Sequence, residues 1–366
     1  MTTRVLLCIP NLGSGGAERQ VRLLAPLLVD RGIRLSLFSR LAGADVAALT
    51  AAGIACFPIR SRGNHNPLLA VELARAAKAA EAQIIHTWLT QMDIIGGAIA
   101  LATRRRWILS ERSSAGAYGG RAKDRLRAWL GQFADVVVAN SISGLDVWPR
   151  HPGRIVIQNG VDHEAIRTAS LAPWDAGTVS SGRTIIVSVA RLAGQKRIDR
   201  MLHALARIRT DIADVLLVLV GEGPEERALK ALADELGVAD HVRFAGYQPD
   251  AWSWIKSGSV FLSTSRFEGQ PNAVLEAAAA GTPQVLSDIG MHRHAVGDGG
   301  AIFVDPDDQD ALASAVVSLV RNAKLARAVA SAAREAVLGL SVEQAADNYA
   351  EVYRLAVSAG PLPSLR

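Results

Sequence analysis

An α/β fold of two doubly wound, Rossmann-like domains is predicted by three features of this 366-residue chain. Short apolar, β-prone runs alternate with helix-forming stretches from end to end, a pattern that implies parallel sheets. The alternation restarts after a small polar segment, Asp175 to Gly182, which reads as a linker. The length also suits two domains of ordinary size. Hydrophobic residues at 49% supply two cores, and charged residues at 20% argue against disorder. In such sheets ligands bind at the carboxyl ends of the strands, here expected in a cleft faced by both domains.

The elements follow in order. Arg4–Ile9 predicts a strand, and Gly16–Val29 a helix stopped by Gly32. Further strands are predicted at Leu35–Phe38, Gln83–His86, Trp107–Leu109, Val136–Ala139 and Ile155–Ile157, with helical stretches between them. After the linker come Thr184–Val189, Val215–Val220, Val242–Phe244, Val260–Leu262, Gln284–Leu286 and Ala301–Val304. Three closing helices, about 308–321, 324–338 and 342–357, have no strand between them. The expected domains are therefore 1–170 and 171–341, with a final helix at about 342–358 crossing back onto the first.

The longest apolar run, Val215–Val220, is far too short to span a bilayer, and no signal-like start precedes the first strand. Cys8 and Cys56 each sit in an apolar strand-like stretch, which predicts two reduced core thiols in a cytosolic protein. Charge is uneven: residues 1–165 carry a net +8 and the remainder a net −3. A basic half suggests an anionic partner such as phosphate, a polyprenyl diphosphate, a membrane surface or nucleic acid.

The chemistry concentrates at strand ends. Glu268 falls on a strand-to-helix loop, and Glu276 about one turn inside the following helix, with Pro271 early and Asn272 as a plausible cap. Two hydroxyl-accepting acids beside helix amides that attract phosphate describe a sugar-nucleotide site. Arg191 and Lys196 follow the strand Thr184–Val189 and suit a diphosphate. The loop Pro10 to Gly16 opens a helix, yet Glu18 stands where a dinucleotide fingerprint needs its third glycine, and no P-loop lysine follows. Alone, that loop is as readily a tight turn as a ligand loop. Gly221-Glu-Gly-Pro-Glu225 reads as structural, and the segment Phe244–Asp250 as a candidate for backbone contacts to a base. Asp305-Pro-Asp307 reads as a helix cap. No His, Cys and acid cluster has metal-ligand spacing.

Together, Asn11-Leu-Gly-Ser-Gly-Gly-Ala-Glu-Arg19, Asn159-Gly-Val-Asp162, Arg191 with Lys196, Gly221-Glu-Gly-Pro224 and Glu268 with Glu276 make the chain resemble a family 4 retaining glycosyltransferase of GT-B fold. Its Gly-Gly-Ala-Glu-Arg form is similar to members that build bacterial surface polysaccharides and lipid-linked oligosaccharides. The resemblance implies a catalytic set of Glu268, Arg191 and Lys196. It further implies donor contacts at Gly15, Gly16, Gly246, Tyr247, Gln270, Asn272, Ala273, Val274 and Glu276. Glu276 would hold the ribose hydroxyls and Glu268 a sugar hydroxyl near the reacting carbon. The two cations would stabilise the departing diphosphate, so no metal and no cofactor are expected.

The chain departs from the family pattern at two places. Ser110-Glu111-Arg112 stands where many members carry a histidine, and Gly290-Met-His-Arg-His294 replaces Gly-Gly-x-x-Glu. On the acceptor side the candidates are therefore His86, Glu111 and Arg112. Glu111 could equally form a salt bridge to a nearby Arg, and for His86 a core-edge histidine is the favoured reading.

Within 119–133, Leu126, Trp129, Leu130 and Phe133 form one helical stripe flanked by Arg121, Lys123, Arg125 and Arg127. Such a helix can lie on an anionic membrane or grip a lipid diphosphate. The favoured reading, however, is an ordinary domain helix whose stripe packs on the sheet.

The function expected is transfer of a sugar from a nucleoside diphosphate, UDP first, to a glycan or polyprenyl-diphosphate-linked acceptor. The setting would be the cytoplasm or the inner membrane face, without nucleic acid. A GT-B isomerase, a phosphorylase and a silent sugar-nucleotide-binding subunit are the alternatives.

Overall fold

The computed structural model describes residues 2–13, 15–63, 66–172 and 182–358. The expected linker, Asp175 to Gly182, lies outside them apart from Gly182. The chain forms two compact units, residues 1–160 with 340–366 and residues 161–339.

The first unit contains β1 (Arg4–Asn11), α1 (Gly16–Asp30), β2 (Arg34–Arg40), α2 (Gly43–Ala51), β3 (Ala55–Pro58), α3 (Leu68–Ala79) and β4 (Ile84–Trp88). It continues with α4 (Thr90–Ala102), β5 (Arg106–Glu111), α5 (Ala122–Gly131), β6 (Val136–Ala139), α6 (Ile142–Leu145) and β7 (Arg154–Val156). The strands form a seven-stranded sheet in the order β3-β2-β1-β4-β5-β6-β7, all parallel. Apolar runs build it because helices cover both faces. Val5, Leu7 and Ile9 enter one core, and Leu6 and Cys8 the other, as the two-residue side-chain period requires. Cys8 is buried and Cys56 half-buried, both as free thiols.

The second unit contains α7 (His163–Thr168), β8 (Thr184–Val189), α8 (Ile198–Asp211), β9 (Val215–Val220), α9 (Glu226–Glu235), β10 (Val242–Gly246), α10 (Ala251–Ser257) and β11 (Val260–Ser263). Then follow α11 (Asn272–Ala280), β12 (Gln284–Ser287), α12 (Gly290–Val296), β13 (Ile302–Val304), α13 (Gln309–Arg321) and α14 (Ala323–Val337). Its parallel sheet runs β10-β9-β8-β11-β12-β13. In both units the first strand of the sheet is central and its two neighbours are reached by connections leaving in opposite directions. That is the topological switch point of a doubly wound fold.

The domain boundary falls at 160/161 rather than the expected 170/171. Residues 163–168 belong to the second unit because α7 packs on α11. The Lys256 ammonium also donates to the carbonyls of Arg167 and Ala169, at 3.0 and 2.6 Å.

The last helix, α15 (Val342–Ser358), returns to the first unit and lies along α1. It buries Ala345, Ala346, Tyr349, Ala350, Val352 and Tyr353 in the same core as α1 and β1. Arg31 reinforces the seam, pairing with Asp347 at 2.5 Å and donating to the Glu343 carbonyl at 2.8 Å. The Asn159-Gly-Val-Asp162 motif is the anchor of this return. Gly160 exchanges hydrogen bonds with the Gln20 amide, N to Oε1 at 3.2 Å and Nε2 to O at 2.9 Å. A Cβ at residue 160 would lie 2.3 Å from Val342 Cα. Asp162 caps α7 by accepting from the Ala165 amide at 2.9 Å.

His86 on β4 belongs to this core. Its Nδ1 lies 2.7 Å from the Tyr353 hydroxyl and its Nε2 2.8 Å from Ser110 Oγ. Burial, with the Arg112 charge nearby, pushes its pKa down to about 3.

Two outcomes are expected. Gly160→Ala forces the start of α15 away from the first unit and destabilises the protein by about 1–3 kcal/mol, read as a lower denaturant midpoint. The folded protein keeps His86 neutral where the unfolded chain, with its ordinary pKa near 6.5, takes up a proton. Its contribution is thus complete above that value and is lost as pH falls toward about 3. Between pH ~7 and ~5, stability falls less steeply in His86→Gln than in the parent; equal slopes would contradict the assignment.

Candidate functional site

The second unit brings its candidate residues to the carboxyl ends of β8, β10 and β11. β8 and β11 are hydrogen-bonded neighbours at the switch point, so the loops that follow them emerge side by side. Lys196, in a single helical turn after β8, donates to Glu268 Oε1 at 2.5 Å. Glu268 is 7% exposed, and Lys196 is half-buried. The two loops are stitched by backbone as well. Gln195 Nε2 donates to the Phe267 carbonyl at 2.7 Å, and Arg266 N donates to the Gln195 carbonyl at 2.9 Å. Thr264 Oγ1 donates toward the Lys196 and Arg197 carbonyls at 3.0 and 2.9 Å.

Immediately after Lys196 the backbone turns left-handed at Arg197, with φ +50°. A non-glycine residue holds that conformation only when its surroundings insist on it. Here the guanidinium forks onto both carboxylate oxygens of Asp307, which also accepts from Arg200 at 3.0 Å. This corrects the capping role expected of Asp305 and Asp307. The cap of α13 is Asp308, which accepts from Ala311 N at 2.9 Å. Asp305 instead receives the Asp307 amide at 2.9 Å, presenting Asp307 to the Lys196 turn.

Arg191 is exposed and has no ion-pair partner among the described residues. Its loop is packed by Gly221 and Gly223, where a Cβ would meet the Ala190 and Leu192 carbonyl oxygens at 2.1 and 2.2 Å. Gly221, at φ +135°, also donates to the Gly246 carbonyl at 2.8 Å. Gly246 ends β10, at the edge of the sheet two strands away from β8, and Tyr247 follows it. Tyr247 is exposed, and its amide donates to Glu222 Oε1 at 3.3 Å.

Pro271, not Asn272, is the cap of α11, and Asn272 is its first helical residue. The Asn272 amide turns back to the Gln270 carbonyl at 3.1 Å, and the Val274 and Leu275 amides share the Pro271 carbonyl at 3.0 and 3.1 Å. Gln270, Asn272 and Ala273 are half-buried, while Val274 packs into the core at 2% exposure. Val274 thus has neither a free amide nor an accessible side chain, against the contact expected of it. Glu276 lies in the second turn of α11, 5% exposed.

Gly15 and Gly16 open α1 in the first unit, at the end of β1. The Glu18 carboxylate sits over Gly15, where a Cβ would meet its Oε2 at 2.2 Å. The acceptor candidates also belong to this unit, and the structure corrects two of them. Glu111 is 0% exposed and its oxygens are spent. It accepts from Arg127 at 2.8 Å, Trp148 Nε1 at 3.0 Å, the Tyr118 hydroxyl at 2.6 Å and Ser113 N at 3.0 Å. His86 is likewise enclosed, as described above. Neither reaches a surface from which to touch a ligand. Arg112 does: it lines a cavity of about 120 Å³ with Leu89, Thr90, Ser110, Tyr118 and Arg127. Its guanidinium lies 4.0 Å over the Trp88 ring, donates to Tyr349 at 3.3 Å and binds Asn159 Oδ1.

Arg127 is the residue that sequence reasoning misplaced. It is 3% exposed and joins Asp93 at 2.7 Å to Glu111 at 2.8 Å. The apolar stripe of α5 consequently faces outward. Leu126, Trp129 and Phe133 are 44%, 61% and 53% exposed, and only Leu130 is buried. The expected packing of that stripe on the sheet is met by Leu130 alone.

Comparison with known proteins agrees with this geometry. Residues 14–165 match the model of Glycosyltransferase Family 4, and residues 175–336 that of Glycosyl transferases group 1. A lipopolysaccharide core biosynthesis glycosyltransferase, LpsE of Rhizobium meliloti, is 30% identical over 55% of this chain and 54% of its own length. A phosphatidyl-myo-inositol mannosyltransferase of Mycobacterium leprae is 32% identical over 56% and 54%. The chain thus spans about half the length of these curated relatives. Over 96% of its length it superposes on Anabaena HepE, solved with UDP-glucose, covering 99% of that chain at TM-score 0.81 and 20% identity. WaaG, a glycosyltransferase of lipopolysaccharide biosynthesis, follows at TM-score 0.72 and 16% identity, over 95% and 99% of the two chains. These likenesses show the GT-B fold. With its two halves matching the two models in sequence order, the chain belongs to glycosyltransferase family 4.

Proposed function

We propose that this protein transfers a sugar from a nucleoside diphosphate, most simply UDP, to a glycan or lipid-linked glycan during surface-polysaccharide synthesis. It does so with retention of anomeric configuration and without a metal. The contact between Lys196 and Glu268 carries the reading. It joins an ammonium and a carboxylate at the switch point, where a doubly wound sheet binds its ligand, and this supports a diphosphate and a sugar hydroxyl as their partners. The names of the relatives, lipopolysaccharide core and phosphatidylinositol glycosyltransferases, support an acceptor on the cell-envelope side.

In this mechanism the Lys196 ammonium donates one N–H hydrogen bond to Glu268 and keeps two N–H donors for phosphate oxygens. Arg191, exposed on the same loop, adds a planar fork suited to the diphosphate. Charge fixed in advance where the leaving group becomes negative is usually the largest catalytic term, and it replaces a metal here. Glu268, held by an ammonium, is a weakened nucleophile and a good acceptor for a sugar hydroxyl. The departing phosphate then takes the proton of the acceptor hydroxyl, which attacks from the same face. Glu276 holds the ribose hydroxyls. The acceptor side includes Arg112 at its cavity in the first unit. A site on the cytoplasmic membrane face fits a lipid-linked acceptor; among the described residues no helix is long and apolar enough to cross a bilayer.

Lys196→Ala should lower turnover of a UDP-sugar by about 10²-fold or more. Glu276→Ala should weaken UDP binding by roughly 10- to 100-fold, the loss of one or two hydrogen bonds to a charged acceptor. Glu268→Gln should reduce turnover and leave UDP affinity near the parent value. Steady-state kinetics and calorimetric titration separate the three. Unchanged constants in all of them would remove the site, and UDP-sugar binding without turnover in the parent would indicate a silent binding subunit.

A further inference from the structure

The outward face of α5 is the feature that the transfer chemistry leaves unexplained. Leu126 and Trp129 stand on it, Phe133 joins them from the turn just after the helix, and the Trp129 and Phe133 rings meet edge to face with centroids 5.5 Å apart. Arg127 on the opposite face, locked to Asp93 and Glu111 inside the unit, forbids the helix from rolling its stripe inward. Removing a buried guanidinium from two carboxylates would leave uncompensated charge in the core, so the orientation is fixed from within.

Charge on the outward face has one sign. Arg121, Lys123 and Arg125 are exposed, and the one carboxylate between residues 121 and 133, Asp124, is 8% exposed and accepts from Arg121 Nε at 3.3 Å, so it offsets only that cation. On α4, which packs against α5, Leu101 is exposed at 41% and Arg104 follows in the open. Apolar side chains rimmed by cations, with an amphipathic indole among them, match the boundary between acyl chains and anionic headgroups. A second copy of the chain fits poorly, since a two-fold contact would set the same cations against one another.

We propose that α5 docks this protein on an anionic bilayer, with Leu126, Trp129 and Phe133 entering the headgroup boundary and Arg121, Lys123 and Arg125 pairing with lipid phosphates. The proposal rests on the envelope-acceptor reading for its purpose but not for its geometry. The anchor lies on the unit that holds Arg112 and its cavity, so a lipid-borne acceptor would meet that unit at the surface where it resides.

Co-sedimentation with vesicles of phosphatidylcholine alone or mixed with phosphatidylglycerol tests it. The parent should bind the anionic vesicles, less so at high salt. Trp129→Ser with Phe133→Ser, and separately Arg121→Gln with Lys123→Gln and Arg125→Gln, should each weaken binding by roughly tenfold or more. Melting temperatures near the parent value exclude misfolding as the cause. Trp129→Phe should still bind while losing most of the blue shift in tryptophan emission that vesicles induce in the parent. Absence of parent binding would overturn the proposal. So would binding unchanged in the Trp129 and Phe133 variant, or a solution dimer that this variant dissociates. Hydrolysis of a UDP-sugar, measured without vesicles in the same preparations, reports on the transfer reading alone, so the two ideas can fail separately.

Discussion

Lys196 meets Glu268 across 72 residues of sequence because two parallel strands of the second unit lie side by side while their connections leave in opposite directions. The candidate donor site depends on that adjacency. The sheet brings the two loops to one edge, Gln195 and Thr264 join their backbones, and the Arg197 fork onto Asp307 fixes the left-handed turn from which Lys196 projects. The cation is aimed by three layers of support, none of which is its own contact with Glu268. Catalytic groups on loops gain precision in this way when rigid elements carry the loops.

The first unit uses buried charge for a different end. Asp93, Arg127 and Glu111 are almost completely removed from water. Such a cluster adds little to stability against a well-packed apolar equivalent, but it specifies geometry. Burial, opposed by the Arg127 charge, pushes the Asp93 carboxyl up to about 6, while the two carboxylates hold the Arg127 guanidinium firmly protonated. What the arrangement secures is the rotation of α5 about its axis, and with it the character of the surface presented to the surroundings.

Most of the architecture was legible in the sequence because β-prone runs such as Val136–Ala139, Thr184–Val189 and Val215–Val220 are buried on both faces and bounded by turn residues. Ala55–Pro58, strand-like around Cys56, is missing from the expected strand order: it is a short edge strand, partly exposed and ending in proline. The pair of glutamates and the two cations could be read from their positions after strands. The Arg197 clamp could not, since its partner lies 110 residues away and reads locally as a cap. The rotation of α5 was misread for a physical reason. Hydrophobic periodicity reports which face is apolar, and the inference that the apolar face is inside fails when a nonlocal ion cluster occupies the interior. His86 and Glu111, at strand ends, fit either a ligand contact or an enclosed core-edge role, and the enclosed role is the one realised. Tyr353 and Arg127, both distant or unremarkable in sequence, enclose them.

The return of α15 to the first unit has a consequence for biosynthesis. Tyr349 and Tyr353, which complete the layer over α1 and β4, are translated after every strand of the second unit. While the ribosome is still adding them, the second unit already possesses every strand of its sheet, whereas its predecessor presents an uncovered seam around Val21 and Leu24. The usual amino-to-carboxyl order of maturation is inverted. The nascent amino-terminal half must wait, half finished, for a helix encoded beyond the whole of its neighbour.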